Sequence, residues 1–406
     1  MSNVRYVGLD VHKEFIVMAV ADGSGAPAEV LRRFESSAPQ VLAALRKLGP
    51  LSALKVCYEA GPTGYGLYRS LRAAGVDCQV IAPALIPKQN QRVKTDRRDA
   101  RKLAHFLRSG DLVSVWVPDE QTEALRDLER ARDDARLALR RIQQQLLKLL
   151  LRNGRVFTEG KEHWTKTHWN WIRRQRFAEE SQQRVLADAL QTVEQAQARL
   201  ARLDQDLAEC TIGWRLLPLV QNLQAFRGIK LLTAVGVAAE IGDFQRFPTA
   251  GKFMAFVGLV PSEQSSGAAR RQGRITKTGN RHVRRLLLEA AWQYVGAPAT
   301  VGPALAARRR HVPENVVAIA DQALRRLRRK AWKMTLCKKP ACQIATALAR
   351  ELAGFIWSAA RATDVLPRTT TAGTNLQQRT RAPQPAGGGG SERVGVSLRP
   401  RRRPER

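Results

Sequence analysis

Apolar positions in the first hundred residues follow two alternating rhythms, and their order predicts a mixed α/β unit. Tyr6 to Val11 and Phe15 to Ala21 are short β-rich runs, Asp22-Gly23-Ser24-Gly25 marks a turn, and Glu29 to Phe34 returns as a third strand. Helical spacing then covers Ala38 to Leu48. A strand at Leu54 to Tyr58, a glycine-bounded helix at Gly64 to Ala74, a strand at Asp77 to Ile81 and a helix from Asp96 to Ser109 follow. The order is βββαβαβα. Three antiparallel strands followed by βα units is the order of the ribonuclease-H-like fold, a mixed sheet flanked by helices.

Beyond this unit the pattern turns helical. From Asp119 to Leu151 and from Phe177 to Leu207, Leu, Ala and Val recur at helical spacing with no proline inside either run, which predicts long helices forming an antiparallel hairpin or a dimer coil. Between them, His163 to Arg176 carries Trp164, Trp169 and Trp171, either as core filler or as stacking platforms for bases. Leu216 to Trp292 reads as short helices and turns. A basic helix (Ala320 to Met334) and an amphipathic one (Ala341 to Ala360) close the folded part. From Pro367 the composition of Thr, Gln, Pro, Gly and Arg predicts disorder. The expected parts are an α/β domain at 1–115, a helical coiled-coil insertion at 116–212, a mostly helical C-terminal domain at 213–365 and a basic tail at 366–406.

Charge narrows the function. The 406 residues carry a formal net charge of +32, with Lys and Arg spread along the chain. Such a surface seeks polyanions, and phosphate backbones are the commonest. The five cysteines (Cys57, Cys78, Cys210, Cys337, Cys342) are scattered without the close pairing of a zinc site or disulfide framework, as expected in a reducing cytosol. No apolar stretch approaches the roughly 18 residues of a membrane span. The N-terminus meets Asp10, Lys13 and Glu14 before a signal-like core forms, so a cytoplasmic, nucleoid-associated protein is expected.

Carboxylates sit where a purely basic binding protein has no use for them. Asp10 interrupts the apolar strand Gly8-Leu9-Asp10-Val11, where an unpaired carboxylate costs several kilocalories and so needs a partner such as a metal ion. Glu59 ends the strand Val56-Cys57-Tyr58-Glu59, with Gly61 beyond it to let the backbone turn away. Asp96 and Asp99 share one face at the start of a helix. Helix capping by Asp96 and the macrodipole explain those two equally well; neither explains Asp10 or Glu59. Four converging acids would repel one another without divalent cations, and oxygen ligands suit Mg²⁺ or Mn²⁺, a pair of which stabilises attacking and leaving oxygens in phosphodiester cleavage.

A second constellation runs Gly258-Leu259-Val260-Pro261-Ser262-Glu263-Gln264-Ser265-Ser266-Gly267, then Arg270-Arg271-Gln272-Gly273-Arg274. Paired serines trailed by guanidinium groups are read either as a nucleophile beside a phosphodiester or as a plain Ser-Gly turn in a DNA-contacting loop. Phe226-Arg227-Gly228-Ile229-Lys230 hints at a helix-hairpin-helix that grips a DNA backbone. His12, His105, His282 and His311 show no ligand spacing and are read as structural or surface groups.

At these residues the chain resembles the transposases of the insertion-sequence 110/1111 family, the DEDD transposases, closest to the 1111 branch. The likeness spans roughly residues 4 to 365. It rests on Gly8 to Lys13, Glu59-Ala60, Arg92-Val93-Lys94-Thr95-Asp96-Arg97-Arg98-Asp99-Ala100, Val115-Trp116-Val117-Pro118-Asp119-Glu120, the Gly258 to Gly279 block and Ala349 to Phe355. The resemblance implies a RuvC-like, RNase H-like N-terminal domain whose metal-binding acids match Asp10, Glu59, Asp96 and Asp99. It also implies a C-terminal transposase domain whose catalytic serine matches Ser266, with Ser265 as the alternative. Mg²⁺ (or Mn²⁺), donor and target DNA, an element-encoded guide RNA and a homo-oligomer, dimer or tetramer, belong to the same implication. So do the rival readings, a related site-specific DNA invertase and a RuvC-like junction nuclease using water as nucleophile; a non-catalytic nucleic-acid binder is the rival from another class. Three departures stand out: Lys230 where the family's hairpin has glycine, Ala268 where it has a second glycine after the serines, and the tail beyond Pro367.

Overall fold

A small residue on one face of a central strand decides how closely a helix can lie on it, and this chain places Gly8 there on β1. In the computed structural model the described residues are 4–87, 95–266, 269–296, 298 and 300–363. Strands β1 (Arg5–Val11), β2 (Phe15–Ala21) and β3 (Glu29–Glu35) form the antiparallel meander. Helix α1 (Ala38–Arg46), capped by the Ser37 side chain, leads to β4 (Leu54–Glu59). Helix α2 (Gly66–Ala73), β5 (Asp77–Ile81) and α3 (Asp96–Ser109) complete the unit. The sheet order is β3-β2-β1-β4-β5, with β4 and β5 parallel to β1. Every element expected of this unit is present, within two residues at each end.

Period-2 alternation gives the sheet two unlike faces. Val7, Leu9, Val56, Tyr58 and Val80 pack with Val41, Leu45 and Leu71 of α1 and α2. The other face carries Val17, Ala19 and Ala21 against Ala100 and Ala104 of α3, with Cys57 and Ile81 against Leu103 and Leu107 beside them. Gly8 lies on this second face, and a Cβ there would stand 2.4 Å from both the Ala100 carbonyl oxygen and the Ala104 nitrogen. Backbone therefore meets backbone at β1.

The segment after α3 stitches the sheet to the long helices beyond it. Val115 N donates to Val80 O at 2.7 Å, and the next residue, Trp116, fills the space over Gly242, whose φ is +64. Asp119 caps α4 (Glu120–Arg152) through Thr122 N at 2.8 Å. After α5 (Lys166–Arg174), α6 (Glu180–Cys210) returns antiparallel to α4. Arg132 Nε meets Asp204 Oδ1 at 2.6 Å near one end of the pair, and Gln182 Nε2 donates to Asn153 Oδ1 at 3.1 Å near the other. At the far end His168, Trp171 and Ile172 of α5 are buried with Leu146, Leu150 and Leu186, so Trp171 is core filler.

The remaining helices are α7 (Leu217–Leu223), α8 (Leu231–Ile241), α9 (Ala250–Phe256), α10 (Arg281–Trp292), α11 (Pro303–Arg309), α12 (Glu314–Leu336) and α13 (Ala341–Arg361). Within the stretch expected to hold only short helices and turns, β6 (Pro261–Ser266) and β7 (Ala269–Ile275) form a two-stranded hairpin. Its strands are polar on both faces, so they lack the apolar alternation by which a strand is read from sequence. The tail expected to be disordered lies outside the described residues.

Substituting Gly8→Ala should force α3 away from β1 and lower stability by about 1–3 kcal/mol or more, the cost of overpacking a tight interface. Thermal denaturation checks this, and an unchanged Tm would show that the interface has slack.

Candidate active site

Parallel strands in register present partner residues to the same face. Leu9 pairs with Tyr58, so Asp10 and Glu59, one step further along β1 and β4, share the face covered by α3. On α3, Ala100 and Ala104 lie over Gly8. Asp96 is one helical turn before Ala100, which brings the first turn of α3 over the end of β1 where Asp10 stands. The cap of α3 is Thr95, whose side chain accepts from Arg98 N, so Asp96 is not a capping residue.

His12 completes the cluster. Its Nε2 lies 3.2 Å from Asp10 Oδ2 and 3.5 Å from Asp96 Oδ1, bridging the two carboxylates. Donor atoms of Asp10, His12 and Asp96 all lie within 4.8 Å of one another, the one such group of three or more found among the described residues. Burial pushes the Asp10 carboxyl above its ordinary value, the charges of Asp99 and Asp96 push the same way, and the His12 hydrogen bond and charge oppose them. Asp99 thus reaches Asp10 electrostatically but stands outside the close group, as does the exposed Glu59. Reading His12 as structural or surface missed its place here. The signal was its i+2 spacing from Asp10, which keeps both on one side of an extended chain. Gly61 has no positive φ; the left-handed turn after β4 belongs to Gly64, at +68.

Two hard carboxylate oxygens and an imidazole around a partly desolvated, mutually repelling set of acids fit a small divalent cation, because one would offset both the burial and the repulsion that raise Asp10.

The serines lie elsewhere, at the closed end of the β6–β7 hairpin, where Ser265 pairs with Arg270 and Ser266 with Ala269 in the backbone register. Residues 267 and 268 lie outside the described residues, so Ala268 is not placed. The open end is firmly held. Arg284 donates from Nη1 to Val257 O and Thr278 O at 2.9 Å each. Gly258, at φ +67, and Gly279, at φ +68, allow backbone contacts that a Cβ would block at 2.2 Å and 1.9 Å. Asn280 caps α10 and donates to Glu240 Oε2 at 2.7 Å, and Glu240 accepts from Arg130 of α4 at 2.8 Å. Arg126 of α4 donates to Ala239 O at 2.9 Å, and His282 Nε2 meets Glu129 Oε2 at 2.7 Å. Helix α4 therefore ties the hairpin base to the part of the chain that follows the acid-bearing sheet. Burial alone would raise the Glu240 pKa, but the hydrogen bonds from Arg130 and Asn280 and the charges of Arg130 and Arg126 hold it below its ordinary value.

The Gly228 turn joins α7 to α8 as a helical hairpin. Gly228 has φ +79, and a Cβ there would stand 2.5 Å from Ala290 O. Lys230 is extended (φ −103, ψ 179), a conformation any residue adopts, so lysine in place of glycine leaves the turn intact. The turn borders a cavity of about 620 Å³ whose lining includes Arg132, Arg136, Arg227, Lys230, Arg285 and Arg308 beside one acid, Glu289.

Comparisons with known proteins place the chain in a family. The family model for DEDD-type IS110 transposases matches residues 7–153, and the model described as Transposase IS116/IS110/IS902 family matches residues 220–301. A putative transposase of Sinorhizobium fredii is 41% identical over 360 residues, 88% of each chain. The transposase for insertion sequence element IS1533 of Leptospira borgpetersenii is 35% identical over 341 residues, 81% of this chain and 96% of that one. The transposase for insertion sequence element IS1111A of Coxiella burnetii is 23% identical over 302 residues, 72% of this chain and 78% of the other. This chain belongs to the IS110 family of transposases. Among the described residues no helix is long and apolar enough to cross a membrane.

Two outcomes test the electrostatics. Asp10, raised in the fold, stabilises when protonated, and that contribution is lost as pH rises through its folded pKa. Asp10→Asn should therefore raise the metal-free Tm at neutral pH and erase the stabilisation Mn²⁺ gives the wild type, about 2.7 kcal/mol at a hundredfold excess over Kd. An undiminished Mn²⁺ response in the variant would remove Asp10 from the ligand set. Glu240, lowered in the fold, stabilises above the ordinary carboxylate range, and its contribution is lost as pH falls through its folded pKa. Glu240→Gln should cost about 1–3 kcal/mol at neutral pH and less in acid; pH-dependent melting checks the difference.

Proposed function

We propose that this protein cuts and rejoins DNA strands as the transposase of an insertion sequence, with Asp10, Glu59, Asp96 and Asp99 as its metal-binding acids and Ser266 as its nucleophile. The observation that carries the reading is the convergence of Asp10, Asp96 and the charge of Asp99 at the end of β1, in a chain that is otherwise strongly cationic. His12, bridging two of the acids, joins them as a ligand or as the group that orients Asp10. Mg²⁺ or Mn²⁺, when bound, would supply positive charge to the phosphate undergoing cleavage.

The acids hold the scissile phosphate's surroundings in place, and Ser266 Oγ attacks its phosphorus. One P–O bond forms to serine and one breaks to the departing strand, whose oxygen ends with the serine's proton. A hydroxyl of a second strand later displaces the serine and restores a phosphodiester. Arg271 and Arg274 on β7, both exposed, supply guanidinium groups suited to phosphate. The cationic cavity beside the Gly228 turn suits a nucleic-acid backbone gripped without base readout. The α4–α6 pair acts as a coiled coil that brings acid and serine sites together, within one chain or between copies of a homo-oligomer. An element-encoded guide RNA pairs with donor and target DNA, and the protein works at the bacterial nucleoid.

With guide RNA, DNA and Mg²⁺, Ser266→Ala should abolish the covalent protein–DNA adduct and Asp10→Ala should abolish cleavage altogether. Cleavage without any adduct in the wild type would favour the junction nuclease, with water as nucleophile. An adduct surviving in Ser266→Ala and lost in Ser265→Ala would move the role to the neighbouring serine.

A further inference from the structure

The C-terminal half of α12 carries Arg325, Arg326, Arg328, Arg329, Lys330 and Lys333 with no acid among them. Two of the six are neutralised: Arg326 Nε and Lys330 Nζ bind Glu351 of α13 at 2.8 and 2.6 Å. The side chains of Arg325, Arg328, Arg329 and Lys333 make no hydrogen bond or ion pair among the described residues, and all four residues are exposed. Like charges at helical spacing destabilise a helix. The dipole of α12 favours cations only in its last turn, which covers Lys333 and leaves the arginines unexplained.

Position around the axis is the second observation. At 3.6 residues per turn, Arg325, Arg328, Arg329, Trp332, Lys333 and Leu336 fall within an arc of about 140°, along roughly 16 Å of helix. The buried Ala320, Ala323, Leu324, Leu327 and Ala331 take the opposite side. Trp332 is 61% exposed and Leu336 62%, so an indole stands in water amid unneutralised cations. Fold stability accounts for neither.

We propose that this face of α12 is a binding surface for single-stranded nucleic acid, with the four cations on the phosphates and an unpaired base stacked on Trp332. Charge complementarity selects a polyanion. The indole selects a strand whose bases are free, since a duplex keeps its bases stacked on one another and an unpaired base gains by stacking on an aromatic ring. A second copy of the chain is a poor occupant, because an isologous contact would set these cations against their own equivalents. An anionic membrane is poorer still, since the broad apolar face of α12 is already buried in the protein and leaves only Trp332 and Leu336 to insert. The surface carries none of the residues assigned to cleavage, so the inference goes beyond the proposed chemistry.

The test is binding of a labelled single-stranded oligonucleotide to the full chain without divalent metal, by fluorescence anisotropy across a salt series. Arg325→Gln/Arg329→Gln should weaken binding and reduce the slope of log K against log salt by about 1.4, two phosphate contacts at roughly 0.7 each for a single strand. Arg199→Gln/Arg202→Gln, an equal charge loss at exposed positions of α6, should leave the slope unchanged. Trp332→Ala should weaken binding about tenfold at constant slope, and Trp332→Phe should restore most of it. Circular dichroism melts confirm that each variant folds. Equal slopes in the two double variants, or undiminished affinity in Trp332→Ala, would overturn the proposal. So would dissociation of an oligomer, or loss of binding to anionic vesicles alone. Because no strand is cut in this measurement, failure of the serine mechanism would leave its result standing.

Discussion

The contact between α3 and β1 at Gly8 sets the geometry on which the acid cluster depends. A strand residue with any side chain would hold the helix further out, and the first turn of α3 would no longer overhang the end of β1. Ala100 and Ala104 do on the helix what Gly8 does on the strand, so closeness is written into both partners. The carboxylates that gather at this edge are costly in isolation, and the raised Asp10 pKa is the measure of that cost. His12 lowers it, and a cation of higher charge would lower it further.

A different logic governs the hairpin that carries the serines. Its sequence is polar, and among the described side chains of its strands none is buried, so their position depends on what grips the open end. Arg284 satisfies two carbonyls, Asn280 both caps a helix and donates to Glu240, and Glu240 in turn accepts from α4. Each of these groups is buried or half-buried and would be costly if left unpaired. The result is a firmly held base for the two strands.

Much of this was legible in the sequence because the first hundred residues obey simple rules. Period-2 runs separated by a Gly-rich turn and by helical stretches leave few alternatives, and the family motifs fall where those elements begin and end. The face shared by Asp10 and Glu59 follows from register alone. The β6–β7 hairpin escaped because Ser262 to Ser266 offers no apolar alternation to count. His12 is hidden because spacing among imidazoles says nothing of it: its partners are carboxylates, one of them on an element more than eighty residues away. The ties from α4 to Glu240 and Glu129 were equally hidden, since charged residues on a long helix look the same whether they face water or a neighbour.

Helix α4 is rooted at its beginning, where Asp119 pairs with Arg215 and Arg126 and Arg130 engage α8, while among the described residues its far end packs against α5, α6 and the segments that join them, including Phe157, Trp164 and Phe177. Such an arm can change length without disturbing the contacts at its root. Adding or removing residues in step on α4 and α6 would move the α5 tip by about 1.5 Å per residue. Divergent elements of this kind have there a means to alter how far the protein reaches while the bonds at its root stay as they are.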